Sequence, residues 1–302
     1  MKRMRLISTI FMSLGMILTV CFPLSAKRVT DQLGRQVDMP VHAKRIVSLA
    51  PNITEIIFAL EQQHRLVGVT QFSDYPPEAN NLPKVGSYIY LDLERIVSLN
   101  PDLCIAIKDG NPKDVVDRLE ALNIPVYAVD PRDLGAVIDT VLELGQMLDA
   151  NQKAIALATH LRFRVEQVAY RVSKITYRPG VFFQIGISPI VSVGFGTFIH
   201  QLIEDAGGKN LAQGPSPYPR FSREQVIALA PEIMIISSMV GEGSIDQIKS
   251  EWNQWQGVPA VRNQRIHLVD SNLFDRPAPR LVDALEILVN LIHPELFKNK
   301  NP

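Results

Sequence analysis

The stretch from Asn151 to Lys174, NQKAIALATHLRFRVEQVAYRVSK, contains neither Gly nor Pro. Its apolar residues Ala154, Leu157, Ala158, Leu161, Val165, Val168 and Val172 recur at helical spacing. They form one stripe, with Lys153, Arg162, Glu166 and Arg171 mostly off it. As a continuous helix the stretch would be about 35 Å long at ~1.5 Å per residue. It stands near the middle of a 302-residue chain, and strand and helix patterns alternate on both sides of it. The pattern alone admits an ordinary surface helix of one larger domain. An internal repeat, described below, favours a rigid spacer between two lobes.

The length allows two domains, and a hydrophobic content of 46% can build real cores. Residues 1–26 read as an export signal. Lys2, Arg3 and Arg5 precede a mainly apolar run from Leu6 to Val20, and Ala26 suits a cleavage site. The run is short for an uncleaved membrane anchor. Lipid attachment at Cys21 is a third option, for which Val20 is a poor preceding residue. All 31 acidic residues follow residue 26, so a chain starting near Lys27 carries a small net negative charge. No basic block offers a nucleic acid an electrostatic footprint. The other cysteine, Cys104, sits in the apolar run LCIAI and reads as a buried free thiol.

Taken in order, Val29–Asp38 reads as a hairpin turning at Gly34. The first half then alternates strands (45–50, 66–70, 103–107, 126–129) with helices (54–60, 91–99, 112–122, 134–148). The second half alternates strands (181–185, 233–237, 266–269) with helices (197–206, 222–229, 245–252, 280–292). Residues 186–196, 215–220 and 272–279 read as loops. Such alternation predicts mostly parallel sheets covered on both faces. The halves also echo one another. Glu94-Arg95-Ile96-Val97-Ser98-Leu99-Asn100-Pro101-Asp102-Leu103 aligns without gaps on Glu224-Gln225-Val226-Ile227-Ala228-Leu229-Ala230-Pro231-Glu232-Ile233. Each copy runs glutamate, helix, Pro stop, acid, strand, which favours two related lobes. The expected organisation is a signal peptide over 1–26, an N-terminal α/β lobe over 27–149, an interlobe helix over 150–175 and a C-terminal α/β lobe over 176–302. The fold class is α/β: two Rossmann-like lobes with mostly parallel sheets, joined by one long α-helix.

Catalytic signatures are weak. Gly186-Ile187-Ser188-Pro189 is no nucleophile elbow, because Pro189 lacks the N–H an oxyanion hole needs. There is no phosphate-binding loop. The six histidines are scattered, with no two at ligand spacing on one helix, so a metal site lacks support. An iron–sulfur enzyme would need more cysteines, and a purely structural exported protein would have no use for an aromatic cleft. Loops at the expected strand ends are instead rich in aromatics: Phe72 and Tyr75, Tyr88 and Tyr90, Tyr218 and Phe221, and Phe274 with Arg276. In open α/β sheets ligands bind outside the carboxyl ends of the strands. Two lobes facing each other there would enclose a cleft suited to a large, flat, partly apolar ligand.

From about Lys44 to Ile292 the chain resembles the periplasmic substrate-binding proteins of ABC importers whose lobes are joined by one rigid helix, in particular the cobalamin-binding branch. The strings that carry the likeness are Phe72-Ser73-Asp74-Tyr75-Pro76-Pro77, Leu93-Glu94-Arg95-Ile96-Val97, Gln184-Ile185-Gly186-Ile187, Ser222-Arg223-Glu224-Gln225-Val226 and Phe274-Asp275-Arg276-Pro277-Ala278-Pro279-Arg280. The resemblance implies a non-enzymatic, monomeric periplasmic protein that needs no cofactor. It would hold a corrinoid edge-on between its lobes and deliver it to the membrane permease subunits of an importer. Matched loop by loop, Phe72 and Tyr88 would be first-lobe contacts, Tyr218 a second-lobe aromatic and Arg276 a polar contact. Asn52 sits where backbone approaches the ring. Glu94 and Glu224 would dock the importer, one per lobe. Tyr88 and Tyr218 depart from the branch's tryptophans, Asn272 replaces an aspartate, and the second-lobe disulfide is missing. Haem and iron-siderophore binders share this fold and are the alternative. Haem binders often pair an iron-ligating tyrosine near Ser87 with an arginine; Tyr88 and Tyr90 are present, but no arginine lies between Gly86 and Leu93.

Overall fold

The computed structural model describes residues 26–214, 216–237 and 242–297. The expected export signal, Cys21 included, lies outside these residues except for Ala26, as does Pro215 of the Pro-rich loop. Strands β1 (Ala26–Thr30) and β2 (Gln36–Pro40) form an antiparallel hairpin. Its turn places Gly34 at φ +77°, a conformation costly for residues with a Cβ.

The first lobe follows as β3 (Ile46–Ser48), α1 (Pro51–Ala59), β4 (Leu66–Val69), α2 (Leu93–Ser98), β5 (Leu103–Ile107), α3 (Lys113–Ala121) and β6 (Val126–Val129). Its sheet is wholly parallel in the order β4-β3-β5-β6. These strands are short, nearly continuous apolar runs because both faces are covered. One face packs Ile46, Leu103 and Ile105 with α1, and the other packs Val47, Cys104 and Val126 with α2 and α3. Cys104 is fully buried, and burial pushes its thiol up to about 12, so it behaves as a small apolar side chain. Helix α1 begins at Pro51, three residues before the expected Thr54. Proline fits the first helical turn, where its missing N–H would have had no partner.

Two helices link the lobes. Helix α4 (Leu134–Met147) and the long α5 (Asn151–Val172) lie antiparallel. They approach so closely at Gly145 that a Cβ there would stand 2.2 Å from the Ala154 methyl. The apolar stripe of α5 serves both cores. Ala154 belongs to the first-lobe cluster, Ala158, Leu161, Val168 and Val172 to the second, and Leu157 packs against both. Helix α4 straddles the lobes in the same way, with Val141, Leu144 and Met147 on the first and Leu134, Val137 and Ile138 on the second. The connection is therefore a two-helix brace.

The second lobe contains β7 (Gly180–Gly186), β8 (Ile190–Ser192), α6 (Phe198–Asp205), β9 (Lys209–Asn210), β10 (Arg220–Phe221), α7 (Arg223–Leu229), β11 (Ile233–Ser237), α8 (Glu242–Asn253), α9 (Pro259–Arg262), β12 (Ile266–Val269), α10 (Ser271–Phe274) and α11 (Leu281–Ile292). Its sheet runs β10-β8-β7-β11-β12, with β9 also on β7. The β7-β11-β12 core is parallel, and the β8 and β10 pairings are antiparallel. Strands β8 and β10 fall in or beside segments read from sequence as loops, and β9 lies in a stretch to which that reading gives no element. Arg164 of α5 ties this lobe down by reaching Asp283 at 2.6 Å and Glu286 at 2.8 Å on α11.

The 130-residue echo persists in three dimensions. Helices α2 and α7 start at equivalent positions, capped by Asp92 and Ser222, whose side chains accept from Arg95 N and Gln225 N. The equivalent residues Asn100 and Ala230 both stand at positive φ, +46° and +48°, just before a proline. The acid after each proline anchors the start of the neighbouring strand. Asp102 accepts from Lys44 N and Arg45 N at 2.8 and 3.0 Å, and Glu232 accepts from Gly180 N at 2.9 Å. Exposure along residues 91–100 and 221–230 follows the same sequence, position for position.

Candidate functional site

The carboxyl ends of the parallel strands in the two lobes face one cleft, as expected for open α/β sheets. A cavity of about 470 Å³ lies there, and Asn52, Phe72, Tyr88, Tyr218 and Arg276 all line it. Phe198, at the start of α6, adds an aromatic the sequence reading did not name.

Each aromatic is fixed by local backbone bonding. Phe72 projects from the loop after β4. A buried hydroxyl network holds that loop: Thr54 Oγ1 lies 2.8 Å from Ser48 Oγ and 3.0 Å from Ser73 Oγ, and Thr70 and Ser73 hydroxyls are 2.9 Å apart. Tyr88 is held from behind by Asn111, whose Nδ2 donates to Tyr88 O and Leu49 O, both at 2.8 Å. Its ring lies over Gly110, where a Cβ would stand 2.6 Å from Tyr88 Cδ2. Phe72 and Tyr88 meet edge to face, with centroids 6.1 Å apart. On the opposite wall, Gly194 N and Ser192 N donate to Pro217 O and Pro219 O at 2.8 and 3.0 Å, gripping the chain on either side of Tyr218. Phe72 and Tyr218 keep 40% and 44% of their surface exposed, so their faces are free to meet a ligand. Burial raises the phenols of both Tyr88 and Tyr218, so both are neutral at physiological pH.

Four other loop aromatics are not on this wall. Phe274 is 1% exposed and packs into the second-lobe core beside Phe183, because the short helix α10 turns it inward. Phe221 packs edge-on against Phe182. Tyr75 lies under the Arg280 guanidinium at 3.5 Å, outside the cleft. Tyr90 is 80% exposed and outside the lining.

Arg276 lines the cleft, but its guanidinium is committed across the lobes. It donates to Asp74 Oδ1 at 2.7 Å, Glu55 Oε1 at 3.3 Å, Phe72 O at 3.0 Å and the Asn272 side chain. Arg280 joins it, with Nε and Nη2 at 2.9 and 2.8 Å from the two Glu55 oxygens. Asn52 Nδ2 reaches Pro277 O at 3.5 Å, the long limit of such a bond. Glu55, buried on α1, is thus the centre of an interlobe clasp that meets the cleft through Arg276. Beside it, burial pushes the Asp275 carboxyl up to about 7, although Ser237 Oγ lies 2.9–3.0 Å from both oxygens and Arg276 is adjacent. Pattern reasoning missed this clasp because its partners are more than 200 positions apart.

Among the described residues, no group of three or more His, Cys, Asp or Glu side chains could hold a metal ion. None of the described helices is long and apolar enough to cross a membrane.

Comparison with known proteins bears on the family and the fold. The pattern described as "Periplasmic binding protein" matches residues 46–273. A vitamin B12-binding protein of Vibrio parahaemolyticus is 34% identical, over 80% of this chain and 86% of its own length. One from Salmonella typhi is 33% identical over 83% of this chain and 90% of its own. Among solved structures, the periplasmic vitamin B12 binding protein BtuF of Vibrio cholerae superposes with a TM-score of 0.76 at 30% identity, covering 86% of this chain and 100% of that one. The apo periplasmic heme-binding protein RhuT of Roseiflexus gives 0.75 at 29% identity, covering 84% and 99%. On the match to residues 46–273 and the shared two-lobe fold, the chain belongs to the periplasmic binding protein family.

Proposed function

We propose that the protein captures a corrinoid, such as cobalamin, in the interlobe cleft and delivers it to the permease subunits of an ABC importer. The observation that carries this is the aromatic wall: Phe72 and Tyr88 on one lobe face Tyr218 and Phe198 on the other across one cavity. Aromatic faces suit a broad, flat, largely apolar ring. The names of the similar curated proteins support the same ligand. Phe72, Tyr88 and Tyr218 are the proposed ring contacts. Asn52 and Arg276 act at the cleft base, with Arg276 chiefly positioning the loop that carries Phe72 through its bond to Phe72 O.

In this reading the protein is a monomeric binding protein of the periplasm, exported by its cleaved N-terminal signal, with no cofactor and no catalytic residues. Glu94 and Glu224 dock the importer. Both are exposed, and they occupy equivalent positions of the repeat, a fit for a partner with two-fold symmetry. Each also opens a helix, where the dipole favours a carboxylate. The Glu224 backbone N–H and then the Ser222 hydroxyl hold the Glu224 carboxyl below its usual range.

Haem is the second reading, favoured by the RhuT superposition and by Tyr88 on the cleft wall. The test is co-elution. The protein is incubated with cyanocobalamin or with haem, desalted, and its absorption spectrum recorded. Retention of the corrinoid band is expected; retention of haem alone would replace the corrinoid reading with the second one.

A further inference from the structure

The cleft joins aromatic walls to a polar rim, and the state of its cations limits what the rim can accept. Arg132, on the first-lobe rim, is gripped by Asp109, with Nη2 to Oδ1 at 3.1 Å and Nη1 to Oδ2, and by Asp130 through Nε at 2.6 Å. Lys108 Nζ takes the other Asp130 oxygen at 3.0 Å. These two cations and two carboxylates balance. The Arg276 and Arg280 guanidiniums are likewise balanced by Glu55 and Asp74. Asp275 remains as an acid beyond these balanced sets, its two oxygens sharing one hydroxyl, that of Ser237. Helix starts could attract an anion, but the three at the cleft are reduced as donors; in α10 Asn272 N already donates to Asp270 Oδ1 at 2.9 Å. Helix α1 has Pro at its first position, and the Thr197 side chain already accepts from His200 N at 3.2 Å in α6.

We infer that this cleft selects a ligand whose edge is uncharged and amide-bearing, and discriminates against a flat ring edged with ionised carboxylates. The inference rests on the tetrapyrrole-binding reading above and names the periphery that the site accepts. A carboxamide carries both a donor and an acceptor. Its NH₂ can meet Asp275, and its carbonyl can accept from the Tyr88 or Tyr218 hydroxyl. An entering carboxylate loses its water, meets no guanidinium free of a carboxylate partner among the described lining residues, and faces Asp275. Displacing Arg132 from Asp109 to meet it would strand one carboxylate to satisfy another. Burial, which pushes Asp275 up to about 7, lets that group also serve as a protonated donor to an amide carbonyl near neutral pH. Corrinoids carry such amides, whereas haem carries two propionates.

The test compares two corrinoids that share a ring and axial ligands, dicyanocobinamide with an amide edge and dicyanocobyrinic acid with a carboxylate edge. Their affinities for the full protein are read by fluorescence quenching at pH 8 and moderate salt. The amide form should bind at least about 10-fold tighter, as expected when like charges are brought together at a desolvated site. In Asp109→Asn/Asp275→Asn, which frees part of the Arg132 fork and removes the remaining acid, that ratio should shrink by about 10-fold or more. Asp275→Asn alone should shrink it part of the way and serves as the second variant. Far-ultraviolet circular dichroism and a cooperative thermal melt show independently that the variants are folded. Equal wild-type affinities, or a ratio unchanged in the variants, would overturn the selection while leaving corrinoid binding in place. Wild-type protein that binds neither corrinoid would remove the parent reading and this inference together.

Discussion

Glu55→Gln removes one charge from the interlobe clasp while keeping the side-chain volume. Glu55 is 3% exposed at its side chain and receives Arg280 Nε at 2.9 Å, Arg280 Nη2 at 2.8 Å and Arg276 Nη1 at 3.3 Å. Removing one partner of a buried ion pair costs about 3–5 kcal/mol, mostly because the other charge is left uncompensated. Three features reduce that here. The glutamine carbonyl still accepts a hydrogen bond. Arg276 keeps Asp74 at 2.7 Å. Arg280 is 22% exposed and stays over the Tyr75 ring at 3.5 Å. The expected loss is therefore about 2–3 kcal/mol. In a thermal melt followed by circular dichroism that corresponds to a fall of about 4–5 °C in Tm for a protein of this size. A change under about 1 °C would show that the clasp contributes no net stability, and would refute the reasoning.

Three further outcomes follow from the same structure. Tyr88→Ala and Tyr218→Ala should each weaken corrinoid binding by about 1–3 kcal/mol in a calorimetric titration without unfolding the protein; wild-type affinity in both would remove these loops from the site. Small-angle scattering should change little on ligand addition, because α4 and α5 both pack into the two cores and α5 has no Pro or Gly kink; a large compaction would mean the brace bends. Glu94→Arg with Glu224→Arg should leave corrinoid affinity intact but abolish uptake and stimulation of the importer's ATPase, since like charges would meet at the interface; normal uptake would leave these residues only their role at the helix starts.

What was legible in the sequence was whatever has a local cause. The long helix shows itself through a continuous apolar stripe without breakers, and it ends at Val172, two residues short of the full stretch. The repeat is visible because glutamate, proline and acid recur at one offset, each with a structural task. Strands β8 and β10 were not visible. Each has two or three residues in a Gly- and Pro-rich stretch, and pairing along β7 and β8, not local pattern, makes them strands. The site shows the same division. Phe72, Tyr88 and Tyr218 stand in loops at strand ends, which the topology turns toward one cleft. Phe274 was misplaced because α10 is a single turn beyond the reach of periodicity, capped by Asp270 and turning the ring inward. The links from Glu55 to Arg276 and Arg280 span 221 and 225 positions and leave no trace in any short window.

The most direct test of the account is isothermal titration of the mature protein with cyanocobalamin. One site per chain is expected, with a dissociation constant from nanomolar to low micromolar, about −8 to −12 kcal/mol. No measurable heat with cyanocobalamin, alongside stoichiometric binding of haem, would contradict it.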